Sequence, residues 1–320
     1  MLPLIENKQP LVSIVMNCLN GQKYLREAIN SIFSQTYTNW EIIFWDNAST
    51  DNSSEIVKSY QDKRIRYFRG DKTVPLGHAR NLALRNSSGD FIAFLDCDDI
   101  WIPEKLSKQI PLFLADNDVG IVYSDTFFFN EDGVENRLLE KKKPYRGYCF
   151  DELLNNYLIS LETAVIRKSV LDSLNQWFDE KFNMVEEYDL FVRIGIKWKV
   201  DFVPDALAKW RVHSESWSWK YPDSLVDETE TMLNQLIEDS FIAQKYSSSL
   251  NLAKNSLKFK QAVQQWRNGS SKEARKIIRQ IPSHTRKLWV LWIISYLPCK
   301  IIEPIYKFLS NTIRPVKKIS

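Results

Sequence analysis

Residues 89–101 read GDFIAFLDCDDIW. Phe91–Leu95 is an unbroken apolar run of strand length, bounded by Gly89 and by acid, the pattern of a strand covered on both faces. It runs straight into Asp96, Cys97, Asp98 and Asp99. Asp96 and Asp98 are two positions apart, so on an extended segment their carboxylates point the same way. Like charges so placed raise each other's pKa unless a cation sits between them. Hard oxygen donors favour Mg2+ or Mn2+, and magnesium-type ions complete a shell of one or two protein carboxylates with water and phosphate oxygens. The expected counter-charge is therefore a divalent metal carrying a diphosphate. A solvated loop with Asp98 or Asp99 capping the helix near Pro103 would show the same letters, so the weight of the D-x-D rests on what surrounds it.

What surrounds it is an alternation. LVSIVM (11–16), WEIIFW (40–45) and RIRYFRG (64–70) read as strands. KYLREAINSIFS (23–34) places Leu25, Ala28, Ile29, Ile32 and Phe33 at helical spacing, and STDNSSEIVKSY (49–60) and GHARNLALRNSSG (77–89) come next as helices. EKLSKQIPLFL (104–114) is a further helix and GIVYSD (120–125) a further strand. Strands alternating with helices predict an α/β fold with a mostly parallel, Rossmann-like sheet covered on both faces. Ligands bind such sheets at the carboxyl ends of the strands. Asn17, Asp46–Asn47 and Asp96–Asp98 all fall just at such ends, on one edge. Beyond residue 125 the pattern loosens: a hairpin is expected around Glu131-Asp132-Gly133, a strand leading into a helix over ETAVIRKSVL (162–171), and an amphipathic helix over EEYDLFVRIGIKW (186–198). From 225 on the chain reads as all helix, including a helix pair turning at Asn268-Gly269.

Composition narrows the class. Apolar residues make up 44% of 320, enough for a large core. With 43 Lys and Arg against 40 Asp and Glu, the net charge of +3 lacks the basic excess of a dedicated nucleic-acid binder. The four cysteines form no C-x-x-C pair, so neither a zinc site nor a redox motif is expected. MLPLIENKQP lacks a basic region leading into an apolar one, which makes the cytoplasm the expected compartment. Neither G-x-x-x-x-G-K-[ST] nor G-x-G-x-x-G occurs, and NCLNGQKYL is not the Gly-rich loop of a nucleotide-sugar-forming nucleotidyltransferase. That enzyme class and a non-catalytic nucleotide-binding or interaction protein stand as the alternatives.

Four blocks in order resemble the family-two glycosyltransferases, which have the GT-A fold: LVSIVMNCLNGQKYLREAINSIFSQTYTNWEIIFWDNASTD, GHARNLALRNSSGDFIAFLDCDDIWIPEKL, EEYDLFVRI and KWRVHSES, covering roughly residues 10–220. The resemblance implies an inverting, nucleotide-sugar-dependent transferase, with UDP-sugars favoured. It places Asn17 and Asn20 along the nucleotide, and Asp46 at the uracil and ribose. Asn47 stands where the family often has a second Asp. Arg80 falls near the diphosphate or base, Asp96 at the ribose or metal, Asp98 on the metal, and His213 at the R-x-H position near diphosphate or metal. The catalytic base is carried over to Glu187, where the family usually has Asp, with Glu186 as the alternative. The implied organisation is a catalytic domain over 1–224, with a nucleotide-binding half (10–125) and an acceptor half (126–224), and then a helical region over 225–320.

Within that region KLWVLWIISYLPCKIIEPIYKFL (287–309) is the most apolar stretch, but Leu288–Cys299 is too short to span a bilayer at about 20 residues. Trp289, Trp292 and Tyr296, flanked by Arg286, Lys287, Lys300, Lys307, Arg314, Lys317 and Lys318, suit a segment (286–318) lying on the cytoplasmic face of an anionic inner membrane. A helix packed on the catalytic domain, or an oligomer contact, would suit the same letters. The expected partners are a nucleotide-sugar donor and a carbohydrate or lipid-linked carbohydrate acceptor, as in bacterial surface polysaccharide or lipooligosaccharide synthesis.

Overall fold

Val12–Cys18 (β1) is the strand on which the fold is built. Its residues are buried on both faces except for Asn17, which is half-buried, so the run is mainly apolar without alternation, and its one buried hydroxyl, Ser13, donates to Glu41 on the next strand at 2.6 Å. Trp40–Asp46 (β2) pairs with it in parallel from Val12 opposite Trp40 to Cys18 opposite Asp46. Phe91–Phe94 (β4) pairs in parallel on its other side, with Val15 opposite Phe94. Ile65–Arg69 (β3) continues the parallel set beyond β2. This computed structural model describes residues 9–130, 133, 135–213, 222–282 and 285–297.

The remaining strands are Ile100–Trp101 (β5), Val119–Phe129 (β6), Glu135–Arg137 (β7), Val165–Arg167 (β8) and Lys199–Arg211 (β9). The sheet order is β3-β2-β1-β4-β8-β6-β9-β5, with β7 on β6. Parallel pairing is concentrated in the first half. Past β4 the pairing is mixed: β8 joins β4 and β6 antiparallel, β6 and β9 run parallel, and β5 closes antiparallel on β9. β6 and β7 form the arms of the expected hairpin. Its Glu131 and Asp132 lie outside the described residues, as does the part of segment 286–318 beyond Leu297.

Helices pack on this sheet through their apolar faces. Leu25–Phe33 (α1) buries Leu25, Ala28, Ile29 and Ile32. The next helices are Ser53–Lys58 (α2), Leu76–Leu84 (α3), Lys105–Ala115 (α4), Phe150–Asn155 (α5), Lys168–Asp172 (α6) and Glu186–Gly195 (α7). The described residues form two compact units, one running to Leu153 and including Tyr157–His213, the other taking Leu154–Asn156 and the chain beyond His213. In the second unit the helices are Pro222–Glu238 (α8), Ser240–Lys245 (α9), Ser247–Arg267 (α10), Ser271–Ile278 (α11) and Arg286–Ile294 (α12). The turn expected at Asn268-Gly269 is there, with Gly269 at φ +83°. Among the described residues no helix is long and apolar enough to cross a membrane.

One close approach sets the position of α3. A Cβ on Gly77 would lie 2.1 Å from the carbonyl oxygen of Asp179, and the Gly77 amide donates to the Phe182 carbonyl at 3.0 Å. No side chain fits there without moving α3 off the 178–182 segment. Gly77→Ala should therefore lower stability by about 2 kcal/mol, the usual scale of overpacking. A urea midpoint equal to wild type would show that the contact yields freely.

Candidate active site

Arg80 on α3 is 2% exposed. A buried guanidinium needs partners for its donors, and three carboxylates supply them. Nη2 donates to Asp96 Oδ1 at 3.2 Å and Oδ2 at 3.4 Å, just beyond β4. Nη1 donates to Glu186 Oε1 at the start of α7, and Glu187 Oε2 lies 3.8 Å away. The Phe178 ring lies beneath, its centroid 5.6 Å from the guanidinium carbon. Burial disfavours the charge of Arg80, yet Asp96, Glu186 and Glu187 outweigh it and hold the pKa above its ordinary value. The resident cation among these acids is thus an arginine from a helix sixteen residues upstream of Asp96.

The acids differ in what they have left over. Glu186 is 3% exposed and committed to Arg80, with its Oε2 buried and unpartnered. Glu187 keeps a side-chain exposure of 26%. Burial, then the charge of Glu186, raises its pKa well above the usual glutamate value, against the pull of Arg80. Burial also raises Asp96, again against Arg80 and with Asp98 adding to the effect. Asp98 Oδ2 lies 2.9 Å from His213 Nε2, so the D-x-D and the R-x-H block meet. Arg211 fixes that meeting: its Nε donates to the Asp98 carbonyl at 2.8 Å, its backbone N–H to Asp99 Oδ1 at 2.8 Å, and its Nη2 to Glu27 on α1. Asp99, 3% exposed, is a bracket for β9 and does not face the cleft chemistry.

The residues that the resemblance assigns to the nucleotide, Asn17, Asn20, Asp46 and Asn47, sit at the ends of β1 and β2. Asp46 is fully buried and accepts from the Ser49 amide at 2.7 Å, the Tyr67 hydroxyl at 2.6 Å and Arg69 Nη1 at 3.3 Å. Asn47 spends its side chain on Val74, donating to its carbonyl at 2.8 Å and accepting from its amide at 3.1 Å. Asn17 Nδ2 is buried without a hydrogen-bond partner. Asn20, at φ +57°, begins a zipper between the loops after β1 and β2. The amides of Asn20, Gly21 and Gln22 donate to Ser49 Oγ, Ser53 Oγ and Asp51 Oδ2, and those of Thr50 and Asn52 donate back to Asn20 Oδ1 and Gln22 Oε1, all at 2.8–3.1 Å.

Every candidate read from the sequence therefore lies on the first compact unit, at the carboxyl edge of β1, β2 and β4 or on the elements facing it. Residues that the sequence did not single out are Tyr67 and Arg69, which hold Asp46, and Arg211, Glu162 and Tyr157; Asp99, weighed there as a helix cap, instead accepts from the Arg211 amide. Glu162 is 4% exposed, its Oε2 accepting from Ser160 at 2.5 Å and its Oε1 unpartnered, and burial raises its pKa. The Tyr157 hydroxyl is likewise buried and unpartnered, among the charges of Glu187, Glu186 and Glu162. For Arg69 a signal existed: it lies opposite Asp46 in the β2–β3 register.

The donor set suits a hard divalent cation. Asp98, Asp96 and His213 offer carboxylate oxygens and one imidazole nitrogen, and among the described residues no three such side chains close into a ready-made cage. A partial set of this kind matches an ion that brings phosphate oxygens and water with it.

Removing the guanidinium tests the electrostatics. Arg80→Gln leaves three buried or half-buried carboxylates uncompensated and should destabilise by about 3–5 kcal/mol near neutral pH. Asp96 and Glu187, already raised by burial, would lose the opposing pull of the guanidinium and rise further above their unfolded values. The deficit should shrink as pH falls through the raised values toward the ordinary carboxylate range near about 4. A deficit in urea unfolding that is independent of pH would mean that packing, not charge, is what Arg80 supplies.

Known proteins share both the sequence blocks and the architecture. The model of the family "Glycosyl transferase family 2" matches residues 13–174, half of the chain. An Escherichia coli protein, UDP-Glc:alpha-D-GlcNAc-diphosphoundecaprenol beta-1,3-glucosyltransferase WfgD, is 34% identical over 184 residues, 58% of this chain and 69% of the relative. Among solved structures, S. aureus TarS 1-349 in complex with UDP-GlcNAc superposes with a TM-score of 0.62 at 19% identity, covering 85% of this chain and 81% of that TarS fragment. The mannosyltransferase PcManGT from Pyrobaculum calidifontis, in complex with GDP-Man and Mn2+, gives 0.63 at 17% identity over 95% and 81%. The two structures speak for the fold, and the family model and the bacterial relative for the lineage: this chain belongs to glycosyl transferase family 2 and is a glycosyltransferase with the GT-A fold.

Proposed function

We propose that the protein transfers a sugar from a UDP-sugar to an acceptor hydroxyl by metal-dependent single displacement with inversion, in the assembly of a bacterial surface polysaccharide or lipooligosaccharide. The observation that carries the reading is the division between the two glutamates. Arg80 engages Glu186 and leaves Glu187 half-buried, raised in pKa and accessible. A carboxylate poised closer to neutral pH is the better general base, worth about 10²–10⁴-fold.

In the reaction the acceptor oxygen forms its bond to the anomeric carbon as the bond from that carbon to the diphosphate breaks. Glu187 takes the hydroxyl proton, and the electron pair of the broken bond leaves with the diphosphate. Asp98, with His213 beside it and Asp96 behind, would hold Mn2+ or Mg2+, whose Lewis acidity stabilises the leaving diphosphate. Arg80 holds Asp96 and Glu186 in place and keeps the acids from repelling one another. The ends of β1 and β2, with Asn17, Asn20, Asp46 and Asn47, would border the nucleotide; Asp46 and Asn47 act there by fixing the loop backbone, since their side chains are buried and already hydrogen-bonded. The names of relatives support the substrate class: WfgD is named for a UDP-Glc donor and a lipid diphosphate-linked acceptor, and TarS was solved with UDP-GlcNAc. PcManGT, solved with GDP-Man and Mn2+, supports the metal.

Asp98→Ala should keep the fold and lose Mn2+-dependent binding of UDP-glucose or UDP-GlcNAc in calorimetry; unchanged binding would remove the assigned site. Glu187→Gln should retain donor affinity and lose transfer by at least about 10²-fold. If Glu186→Gln loses transfer while Glu187→Gln does not, the base is the other glutamate. The pH profile supplies an independent check. Activity needs the Glu187 carboxylate, so it is lost as pH falls through a raised pKa. The acid limb of kcat/KM should lie above the ordinary glutamate value of about 4.3; a limb at or below it excludes Glu187.

A further inference from the structure

The last described helix, α12, is apolar on two faces, and only one of them is buried. Leu288 and Leu291 pack into a core with Ala262, Trp266, Ala274, Ile278 and Ile281. The helix end is fastened to that core by its carbonyls: Arg275 Nη1 donates to Ser295 O at 2.7 Å, and Trp266 Nε1 to Leu297 O at 3.0 Å. Held in this way, α12 exposes Trp289 (56%) and Ile293 (63%), with Val290 beside them, and the turn that follows it exposes Tyr296 (61%), under the Arg275 guanidinium, and Leu297. Positions 289, 293 and 296 recur at helical spacing, so they make one stripe.

Isolated exposed apolar residues are ordinary, whereas a contiguous, aromatic-bearing stripe marks an interaction surface. Its charge surroundings select the partner. Residues 271–297 contain Lys272, Arg275, Lys276, Arg279, Arg286 and Lys287 against a single acid, Glu273. Trp and Tyr favour the boundary between headgroups and acyl chains. An apolar stripe with Trp and Tyr in a stretch so one-signed in charge, with Arg275 stacked on Tyr296 and Arg279 on Trp292, has the composition of a segment lying in the plane of an anionic bilayer.

The geometry points to the Trp289–Ile293–Tyr296 face of α12 and the turn after it as a docking surface for an anionic phospholipid membrane, which the helix enters side-on without crossing. The inference does not depend on the donor or on the base.

Flotation of the full chain with phosphatidylglycerol-containing vesicles, and with pure phosphatidylcholine vesicles, tests it at low and high salt. The full chain should float with the anionic vesicles and less so at high salt, where the screening length drops to a few ångströms. Trp289→Ser combined with Ile293→Asp should reduce vesicle partitioning at least about tenfold while leaving circular dichroism and donor binding unchanged. Three results would overturn the inference. The full chain stays below the vesicles in every condition; the double variant floats as well as wild type; or sedimentation shows an oligomer that the double variant dissociates while vesicles bind neither, which assigns the face to a second copy of the chain.

Discussion

A single guanidinium, that of Arg80, is the charge on which the site depends. Taking a cation and three carboxylates out of water is costly, and the arrangement is stable only if hydrogen bonds and geometry are near ideal. The fold invests in that geometry from several sides. Gly77 lets α3 approach the 178–182 segment to backbone contact. Asn81 then locks it, donating to the Phe178 carbonyl at 2.9 Å and accepting from its amide at 3.1 Å. Phe178, so held, carries its ring to the guanidinium. Asp96 arrives from β4 and the two glutamates from the first turn of α7. Elements distant in sequence therefore meet at one charge, so that Asp96 beyond β4 and the two glutamates of α7 are coupled electrostatically through Arg80.

How legible this was in the sequence depends on the physics of each part. β1, β2 and β4 are parallel strands buried on both faces, so their interiors are apolar except for the hydrogen-bonded pair Ser13 and Glu41, and their ends align because their register is parallel and unbroken. That edge, with Asn17, Asp46 and Asp96, could be read directly. The second half could not be read so well. β5 has two residues and β7 and β8 three each, too short for a periodic signal, and β9 runs through polar residues with irregular register against β6.

The counter-charge shows the same limit. Two acids at a strand end call for a cation, but no spacing rule links Asp96 on a strand end to Arg80 on the preceding helix. A metal is what the local letters indicate, while an arginine is what tertiary packing delivers first, with His213 similarly brought to Asp98. Asp46 makes the point on a smaller scale: its partners Tyr67 and Arg69 lie on the neighbouring strand, and only the register of β2 with β3 reveals them.

The zipper between the loops after β1 and β2 bears on ligand recognition. Five backbone amides are tied across it by side chains of the opposite loop. Loops of this length are ordinarily ordered by the ligand they bind, and that loss of freedom is charged against affinity. Here the ordering is completed when the chain folds. On the proposed reading, a nucleotide would meet loops whose backbone is already tied, and its binding would carry less of the cost of ordering them. Changes of ligand preference on this side must then come from exchanging side chains on a fixed backbone, since the backbone has no slack with which to adapt.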